Sequence, residues 1–244
     1  MRNIVLVIEY DGTNYHGWQI QKNAVTIQEV IAKAIKRITL EDVDLVGSSR
    51  TDAGVHALYQ VANFISNCNI PTSKIPDALN SVLPKDIVIK DAFEADMDFH
   101  SRYSAKGKRY KYIIYNRKVN SPIYRNYSWH ISKSLDVEKM RESLKYLEGT
   151  HDFSAFKASG SSVKSPVRTV RDITIKKNGF NVEFEIEADG FLYNMVRIIV
   201  GTIVDVGLGK INPIDVKEIL DSKNRCMAGK TAPPQGLFLT KIYY

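Results

Sequence analysis

A strict alternation of apolar and acidic residues, directly after an Asn-Gly pair, restricts the fold more than any other feature of the sequence. The alternating residues are Val182, Glu183, Phe184, Glu185, Ile186 and Glu187. Because successive side chains of a strand point to opposite faces, the segment 180–188 predicts a strand with one buried and one solvated face. Asn178-Gly179 favours a tight hairpin turn, which joins it to a preceding strand at 172–176. An antiparallel sheet with one hydrated face follows.

The other patterned segments alternate irregularly along the chain, and hairpin signals outnumber crossover units. Further strands are predicted at 3–10, 55–65, 87–93, 108–115 and 237–243, and helices at 26–39, 76–83, 135–147, 191–206 and after 212–213. Thr26 and Glu29 form a capping-box pattern at the first helix. This order predicts an α+β protein whose halves carry mainly antiparallel sheets.

A boundary between the halves is predicted where small residues and a glycine separate two strand-like blocks, near 101–107. We therefore expect an N-terminal α/β subdomain at 1–105 and a C-terminal α/β subdomain at 106–244. The length of 244 residues allows one large domain or two small ones. An apolar content of 44% is enough for a real core.

The charge balance favours an anionic partner. The chain carries a formal net charge of +7, and nucleic acid is the commonest partner of such a surplus, although solvated surface charge is the alternative. Cys68 and Cys226 have no second ligand-type residue at suitable spacing, which argues against a disulfide framework or a structural zinc site. No signal-peptide pattern and no apolar stretch of membrane-spanning length is present, so we expect a cytoplasmic protein without membrane association.

The segment 47–57, GSSRTDAGVHA, brings Arg50, Asp52 and His56 within seven residues. In an extended chain Arg50 and Asp52 project to the same side. The alternative is a plain turn, because an Asp followed by Ala-Gly commonly bonds its own backbone. The segment 9–19, rich in aromatic, glycine and amide residues, leaves the same choice between a functional loop and a packed turn.

The stretch 99–135 contains no acidic residue and interleaves basic with aromatic side chains. Its basic residues are Arg102, Lys106, Lys108, Arg109, Lys111, Arg117, Lys118, Arg125 and Lys133, and its larger aromatic residues include Tyr103, Tyr110, Tyr112, Tyr115, Tyr124, Tyr127 and Trp129. Lys and Arg neutralise phosphates, and aromatic faces stack on unpaired bases. The stretch therefore favours RNA binding over the alternative, a solvated strand edge with half-buried tyrosines.

Arg197 lies in the otherwise apolar helix predicted at 191–206. An arginine in that setting needs a partner, because a buried unpaired charge is costly. The partner is either structural or a catalytic carboxylate that has to stay ionised.

Several of these blocks resemble the TruA family of tRNA pseudouridine synthases. GSSRTDAGVHA is similar to the signature around that family's catalytic aspartate, and EYDGTNYHGWQIQ to its N-terminal motif. LNSVLPKDIVI, FHSRYSAKGKRYKYIIYN, GTHDFSAF, GFLYNMVRIIVG and APPQGLFL follow in family order, so the resemblance runs from Val5 to the C-terminus. Ser48-Ser49 departs from a position that is glycine-rich in related chains.

The resemblance implies two α/β subdomains that share a continuous, mostly antiparallel sheet around a basic central cleft, the pseudouridine synthase fold. It implies a homodimer bridged by one tRNA, without cofactor or metal, that converts uridine to pseudouridine at tRNA positions 38, 39 and 40.

The resemblance also implies roles for individual residues. Asp52 is the nucleophile or base, Tyr110 contacts the target base, Arg50 helps to hold that base out of the stack, and Arg197 pairs with Asp52. The sequence leaves open whether the carboxylate attacks the sugar, attacks the ring or removes a sugar proton. Two rival hypotheses are a non-catalytic RNA-binding module and a synthase of another family or of narrower range.

Overall fold

The computed structural model describes residues 1–160 and 165–244. These residues form two compact units, the first comprising 1–106 and 238–244 and the second 107–237. In chain order the elements are β1 (Arg2–Tyr10), α1 (Ile27–Thr39), β2 (Val46–Gly47), β3 (His56–Ser66), α2 (Ile75–Asn80), β4 (Ile87–Ala95), β5 (Gly107–Asn116), β6 (Trp129–Ile131), α3 (Val137–Leu144), β7 (Gly149–Asp152), β8 (Val167–Asn178), β9 (Asn181–Ala188), α4 (Met195–Gly207), α5 (Asp215–Ser222) and β10 (Leu237–Tyr243). The predicted α+β class is confirmed.

The first unit is organised around β1, which pairs antiparallel with both β3 and β4. The central strand β1 is covered on both faces, because the side chains of residues 4–8 are all buried. The short strand β2 adds antiparallel to β3, and β10 pairs with β3 in the parallel sense.

Helix α1 begins where its sequence pattern predicts but without the predicted cap. Thr26 has the extended backbone of an N-cap residue, yet its side chain accepts no capping hydrogen bond. Its Oγ1 atom is buried and has no hydrogen-bond partner among the described residues. Glu29 lies 2.5 Å from the Lys33 ammonium instead. The helix is therefore held by its apolar stripe, with Ile27, Ile31 and Ile35 fully buried.

The second unit contains the predicted hairpin. β8 and β9 pair antiparallel up to Asn178 and Asn181, and Gly179 adopts a φ of 60° in the turn. β5 pairs antiparallel with β9 and parallel with β6, while β7 extends the sheet beside β8. Val182, Phe184 and Ile186 are buried and the glutamates between them are half-buried, which confirms the predicted alternation.

Two features differ from the sequence-based expectation. Helix α4 begins at Met195 rather than 191, because Asn194 adopts a left-handed φ of 59° that no helix continues through. The C-terminal residues 238–244, predicted within a subdomain spanning 106–244, lie in the first unit, since β10 pairs with β3. None of the helices in the described part of the chain has the length and apolar character that crossing a bilayer requires.

The glycine at 201 allows the segment before β10 to lie directly on α4. A Cβ atom at Gly201 would come 1.7 Å from the carbonyl oxygen of Lys230. On the same helix, the Thr202 hydroxyl accepts a hydrogen bond from the Gly229 amide at 2.9 Å.

We predict that Gly201→Ala destabilises the protein by about 1–3 kcal/mol through overpacking. In an uncrowded helix the same substitution would stabilise the protein by roughly 1 kcal/mol, because alanine has the higher helix propensity. A destabilised variant would therefore indicate crowding at position 201. Chemical denaturation would measure it. Gly190→Ala is the matched control, because its Cβ would meet Arg168 only at an ordinary 3.5 Å. A Gly201→Ala variant as stable as the parent would contradict the observed packing.

Candidate active site

Arg50 and Asp52 lie in the loop 48–55, which connects β2 to β3. Arg50 is exposed and Asp52 is half-buried. The carbonyl of Asp52 accepts a hydrogen bond from the Val55 amide at 3.2 Å, and Gly54 supplies a left-handed φ of 76°. The loop is thus a real turn, as the plain interpretation of the sequence predicts, and the turn presents a carboxylate.

The N-terminal motif packs on this loop through backbone hydrogen bonds. The Trp18 amide donates to the Thr51 carbonyl at 3.0 Å, and the Gly54 amide donates to the Tyr15 carbonyl at 3.2 Å. The hydroxyls of Tyr10 and Thr51 share a buried hydrogen bond of 2.7 Å. The segments 9–19 and 47–57, which are far apart in sequence, therefore form one structural module.

Glycines permit the close approach of the two segments. Gly17 has a φ of 88°, and a Cβ there would lie 2.5 Å from the Thr51 carbonyl oxygen. At Gly12 a Cβ would lie 2.0 Å from the carbonyl oxygen of Val55. Any side chain at these positions would displace the loop that carries Asp52.

Gln60 satisfies the polar groups at the start of the loop. The Ser48 hydroxyl donates to Gln60 Oε1 at 2.7 Å, and Gln60 Nε2 donates to the Ser49 carbonyl at 2.7 Å. All three residues are buried. The serines that depart from the glycine-rich family pattern are thus accommodated by a neighbouring strand. Gln60 is a site-supporting residue that the sequence did not single out; its only signal is an amide in the strand β3, which also contains Asn63.

His56 has a packing role in this module. Its Nδ1 accepts the Gly12 amide hydrogen at 3.0 Å, and its ring stacks on Phe238 with centroids 4.7 Å apart. The same Nδ1 lies 3.1 Å from Asp11 Oδ1. His56 Nδ1 therefore lies within hydrogen-bond distance of both the Gly12 amide and the Asp11 carboxylate.

Tyr110 lies on β5 in the second unit, opposite Ile186 of β9. Only 6% of its surface is exposed. The rings of Tyr110 and Phe191 pack in a T-shaped, edge-to-face arrangement, with centroids 5.1 Å apart and planes at 89°. This geometry is favourable for an aromatic pair and fixes the ring plane of Tyr110.

The guanidinium of Arg197 is oriented by its own helix and by the segment before β10. Nε donates to the Ala232 carbonyl at 2.7 Å, and a terminal nitrogen donates to Asn194 Oδ1 at 2.7 Å. Burial raises the pKa of the nearby Tyr112 phenol, while the positive charge of Arg197 acts in the opposite direction. Asn194 was missed as a functional residue, although an asparagine is a typical residue for the left-handed position just before a helix.

The structure thus places Arg50 and Asp52 in one loop of the first unit, and Tyr110 and Arg197 in the second unit. Among the described residues, no group of three or more His, Cys, Asp or Glu side chains has an arrangement that could hold a metal ion.

Part of the basic stretch is engaged with carboxylates inside the sheet. The Arg109 guanidinium lies 2.9 Å from Glu187, 3.1 Å from Asp172 and 3.4 Å from Glu185, and Lys111 pairs with Glu183. The stretch contains no acid along the sequence, but β8 and β9 supply acids across the sheet. Arg109 and Lys111 are therefore structural ion-pair residues in this fold.

Other members of the stretch remain at the surface. Tyr103 is 76% exposed and stacks with His100 at 4.2 Å, and the Arg102 guanidinium lies 5.8 Å from the Tyr103 ring centre. Tyr124 stacks on Tyr115 at 5.3 Å while 43% of its surface stays exposed. Exposed aromatic rings beside cations are the surface type on which unpaired bases stack.

We predict that Arg109→Met lowers the free energy of unfolding by on the order of 1 kcal/mol or more at low salt, because three carboxylates then lose the cation that they share. Added salt should reduce the loss by screening that repulsion. Lys36→Met is the control, since the Lys36–Asp42 pair is exposed, at 58% and 81% of the two side chains. Equal effects of the two substitutions in denaturant titrations would refute the network.

Comparison with known proteins identifies the family of this chain. The family model described as tRNA pseudouridine synthase matches residues 6–104 and 144–244. The tRNA pseudouridine synthases A of Thermoanaerobacter pseudethanolicus and Acetivibrio thermocellus are 65% and 57% identical to this chain, each over 100% of both sequences. Among solved structures, a chain of an H/ACA RNP bound to a substrate RNA containing 2'-deoxyuridine is similar at a TM-score of 0.40 and 14% identity. That likeness covers 97% of this chain and 47% of the other, so this chain spans about half its length.

The full-length identity and the family model together extend over both units, including the loop of Asp52 and the helix of Arg197. The chain belongs to the tRNA pseudouridine synthase family.

Proposed function

We propose that this protein is an isomerase that converts uridine to pseudouridine in tRNA, at positions 38, 39 and 40 of the anticodon stem-loop. The observation that carries the proposal is the half-buried Asp52 on a turn held by backbone hydrogen bonds, in a chain whose relatives in this family match it over its whole length. The curated relatives are named tRNA pseudouridine synthase A, which supports tRNA as the substrate.

Asp52 is proposed as the catalytic carboxylate. The reaction breaks the N1–C1′ bond of uridine and forms a C5–C1′ bond; a proton then leaves C5 and N1 takes up a proton, so the composition of the nucleoside is unchanged. A carboxylate serves this sequence as a nucleophile toward the sugar or the ring, or as a base toward a sugar proton. The turn at Asp52 orients the side chain before RNA arrives, so little ordering is required at the moment of reaction.

Arg50 is proposed to help hold the target base outside the stack. Extruding a nucleotide costs a few kcal/mol of unstacking, and a side chain that occupies the gap offsets part of that cost. Arg50 is exposed and lies two residues before Asp52, so the cation and the carboxylate are carried by the same turn.

Tyr110 and Arg197 are proposed in the roles that the family motifs imply. Tyr110 contacts the extruded base, and its edge-on packing against Phe191 supports a fixed ring plane for that contact. Arg197 provides the positive charge that favours an ionised carboxylate. The hydrogen bonds to Ala232 and Asn194 support this role, because they restrict the guanidinium before substrate binds.

The main alternative is a protein that binds RNA without modifying it. The exposed aromatic and basic residues around Tyr103 and Tyr124 serve a binder equally well. Release of tritium from tRNA labelled at uridine C5 distinguishes the two, since only isomerisation exchanges that hydrogen. Pseudouridine mapping on tRNA from cells that lack the protein then identifies the modified positions and distinguishes a synthase of narrower range.

We propose that the protein acts in the cytoplasm and requires no cofactor.

We predict that Asp52→Asn separates catalysis from binding. Asparagine is as acceptable as aspartate in such a turn, so the melting temperature should be unchanged. tRNA affinity should hold or rise slightly, because a negative charge near phosphates is removed. Pseudouridine formation should fall by orders of magnitude, because an amide is a poor nucleophile and no base at neutral pH.

All three quantities would be measured on one preparation, with Asp44→Asn as the control for loss of an exposed acid from the same unit. Substantial pseudouridine formation by well-folded Asp52→Asn would remove Asp52 from the mechanism. A parallel loss in Asp44→Asn would instead indicate a general charge effect.

We propose further that the protein acts as a homodimer that binds one tRNA, as the family resemblance implies. Sedimentation velocity at assay concentrations should give a mass near twice 27.6 kDa. A monomer that modifies tRNA at full rate under the same conditions would contradict this.

A further inference from the structure

We infer that Tyr10 and Thr51 form a positioning pair that sets the placement of Asp52 through their shared hydroxyl hydrogen bond. The inference rests on the proposed function. Neither residue touches the reacting atoms on this view; both act on the backbone from which the carboxylate projects.

Thr51 is held at several points directly before Asp52. Its Oγ1 lies 2.7 Å from Tyr10 Oη, and its carbonyl oxygen accepts the Trp18 amide at 3.0 Å. The backbone of Gly17 also approaches this carbonyl, since a Cβ at Gly17 would lie 2.5 Å from the Thr51 oxygen. Thr51 is joined to Asp52 by one planar peptide, so the position of Thr51 limits where the Asp52 backbone can lie.

Tyr10 is itself rigidly anchored. It ends β1, where it pairs with Ala57 of β3 and Ile87 of β4, and it is 3% exposed. Its ring lies 6.2 Å from that of Trp18, the residue whose amide binds the Thr51 carbonyl. The end of β1 thus fixes the position of the Tyr10 hydroxyl, and that hydroxyl holds Thr51 in the turn.

Burial makes loss of the Tyr10–Thr51 hydrogen bond costly, because little water can replace the missing partner. Thr51 is 7% exposed, so removing the Tyr10 hydroxyl leaves a nearly dry threonine hydroxyl that has to find another partner. Rotation of that side chain, or a shift of the turn, is the available response. Misplacement of a catalytic group by a fraction of an ångström lowers turnover without abolishing substrate binding.

The test compares Tyr10→Phe with Tyr15→Phe. Both remove one phenolic hydroxyl from the first unit, but that of Tyr15 donates to Asp86 at 2.6 Å, away from Thr51. We expect Tyr10→Phe to lower kcat for pseudouridine formation by about tenfold with KM for tRNA unchanged. Tyr15→Phe should keep the parent kcat, whatever its loss of melting temperature.

Variants at position 51 keep the inference falsifiable if Tyr10→Phe folds poorly. Thr51→Val removes the hydroxyl at nearly constant shape and should reproduce the loss in kcat, whereas Thr51→Ser retains the hydroxyl and should recover most of it. The double variant Tyr10→Phe/Thr51→Val should be no worse than the poorer single variant, because both remove the same bond.

Three outcomes would overturn the inference. Parent-like kcat in well-folded Tyr10→Phe or Thr51→Val removes the positioning role alone. An equal drop in Tyr15→Phe attributes the effect to general loosening of the unit. A parent protein that forms no pseudouridine in any tRNA refutes the proposed function, and the positioning role with it.

Discussion

The hydrogen bond from the Trp18 amide to the Thr51 carbonyl is the contact on which the candidate site depends. It joins two loops that are more than thirty residues apart, and the glycines at 12 and 17 exist in this fold to allow that approach. Together with the Gly54–Tyr15 backbone bond and the Tyr10–Thr51 hydroxyl bond, it holds the loop 48–55 in place. Backbone groups make the contact, so it does not consume the side chain of Asp52.

Cross-strand ion pairs in the sheet, and not the order of residues along the chain, decide which cations of the basic stretch are neutralised. Arg109 and Lys111 belong to an acid-free stretch, yet β9 places glutamates opposite them and neutralises part of that stretch. Arg102, which lies on a loop beside the exposed Tyr103, is a cation at the surface. A run of like charges in sequence therefore overestimates the basic surface when its residues alternate on a strand, because cross-strand neighbours are invisible to a linear count.

Arg197 shows how one residue combines structural and functional demands. The sequence posed a choice between a structural and a catalytic partner, and the structure supplies the structural partners Ala232 and Asn194. Those contacts use two of the guanidinium nitrogens and leave the proposed electrostatic role compatible with them, since an arginine has five N–H donors. Backbone and amide oxygens carry no net charge, so these two contacts do not neutralise the guanidinium and are compatible with the electrostatic role proposed for it.

The sequence by itself determined the α+β class, the β8–β9 hairpin and the positions of most elements, because alternation, helical spacing and Asn-Gly turns are local signals. It also singled out Asp52, Arg50, Tyr110 and Arg197 through motif blocks. It did not reveal the short strands β2, β6 and β7, the return of β10 to the first unit, the empty Thr26 cap or the pairing of Arg109. Each of these depends on partners distant in the chain, and only tertiary packing decides which buried polar groups and charges meet.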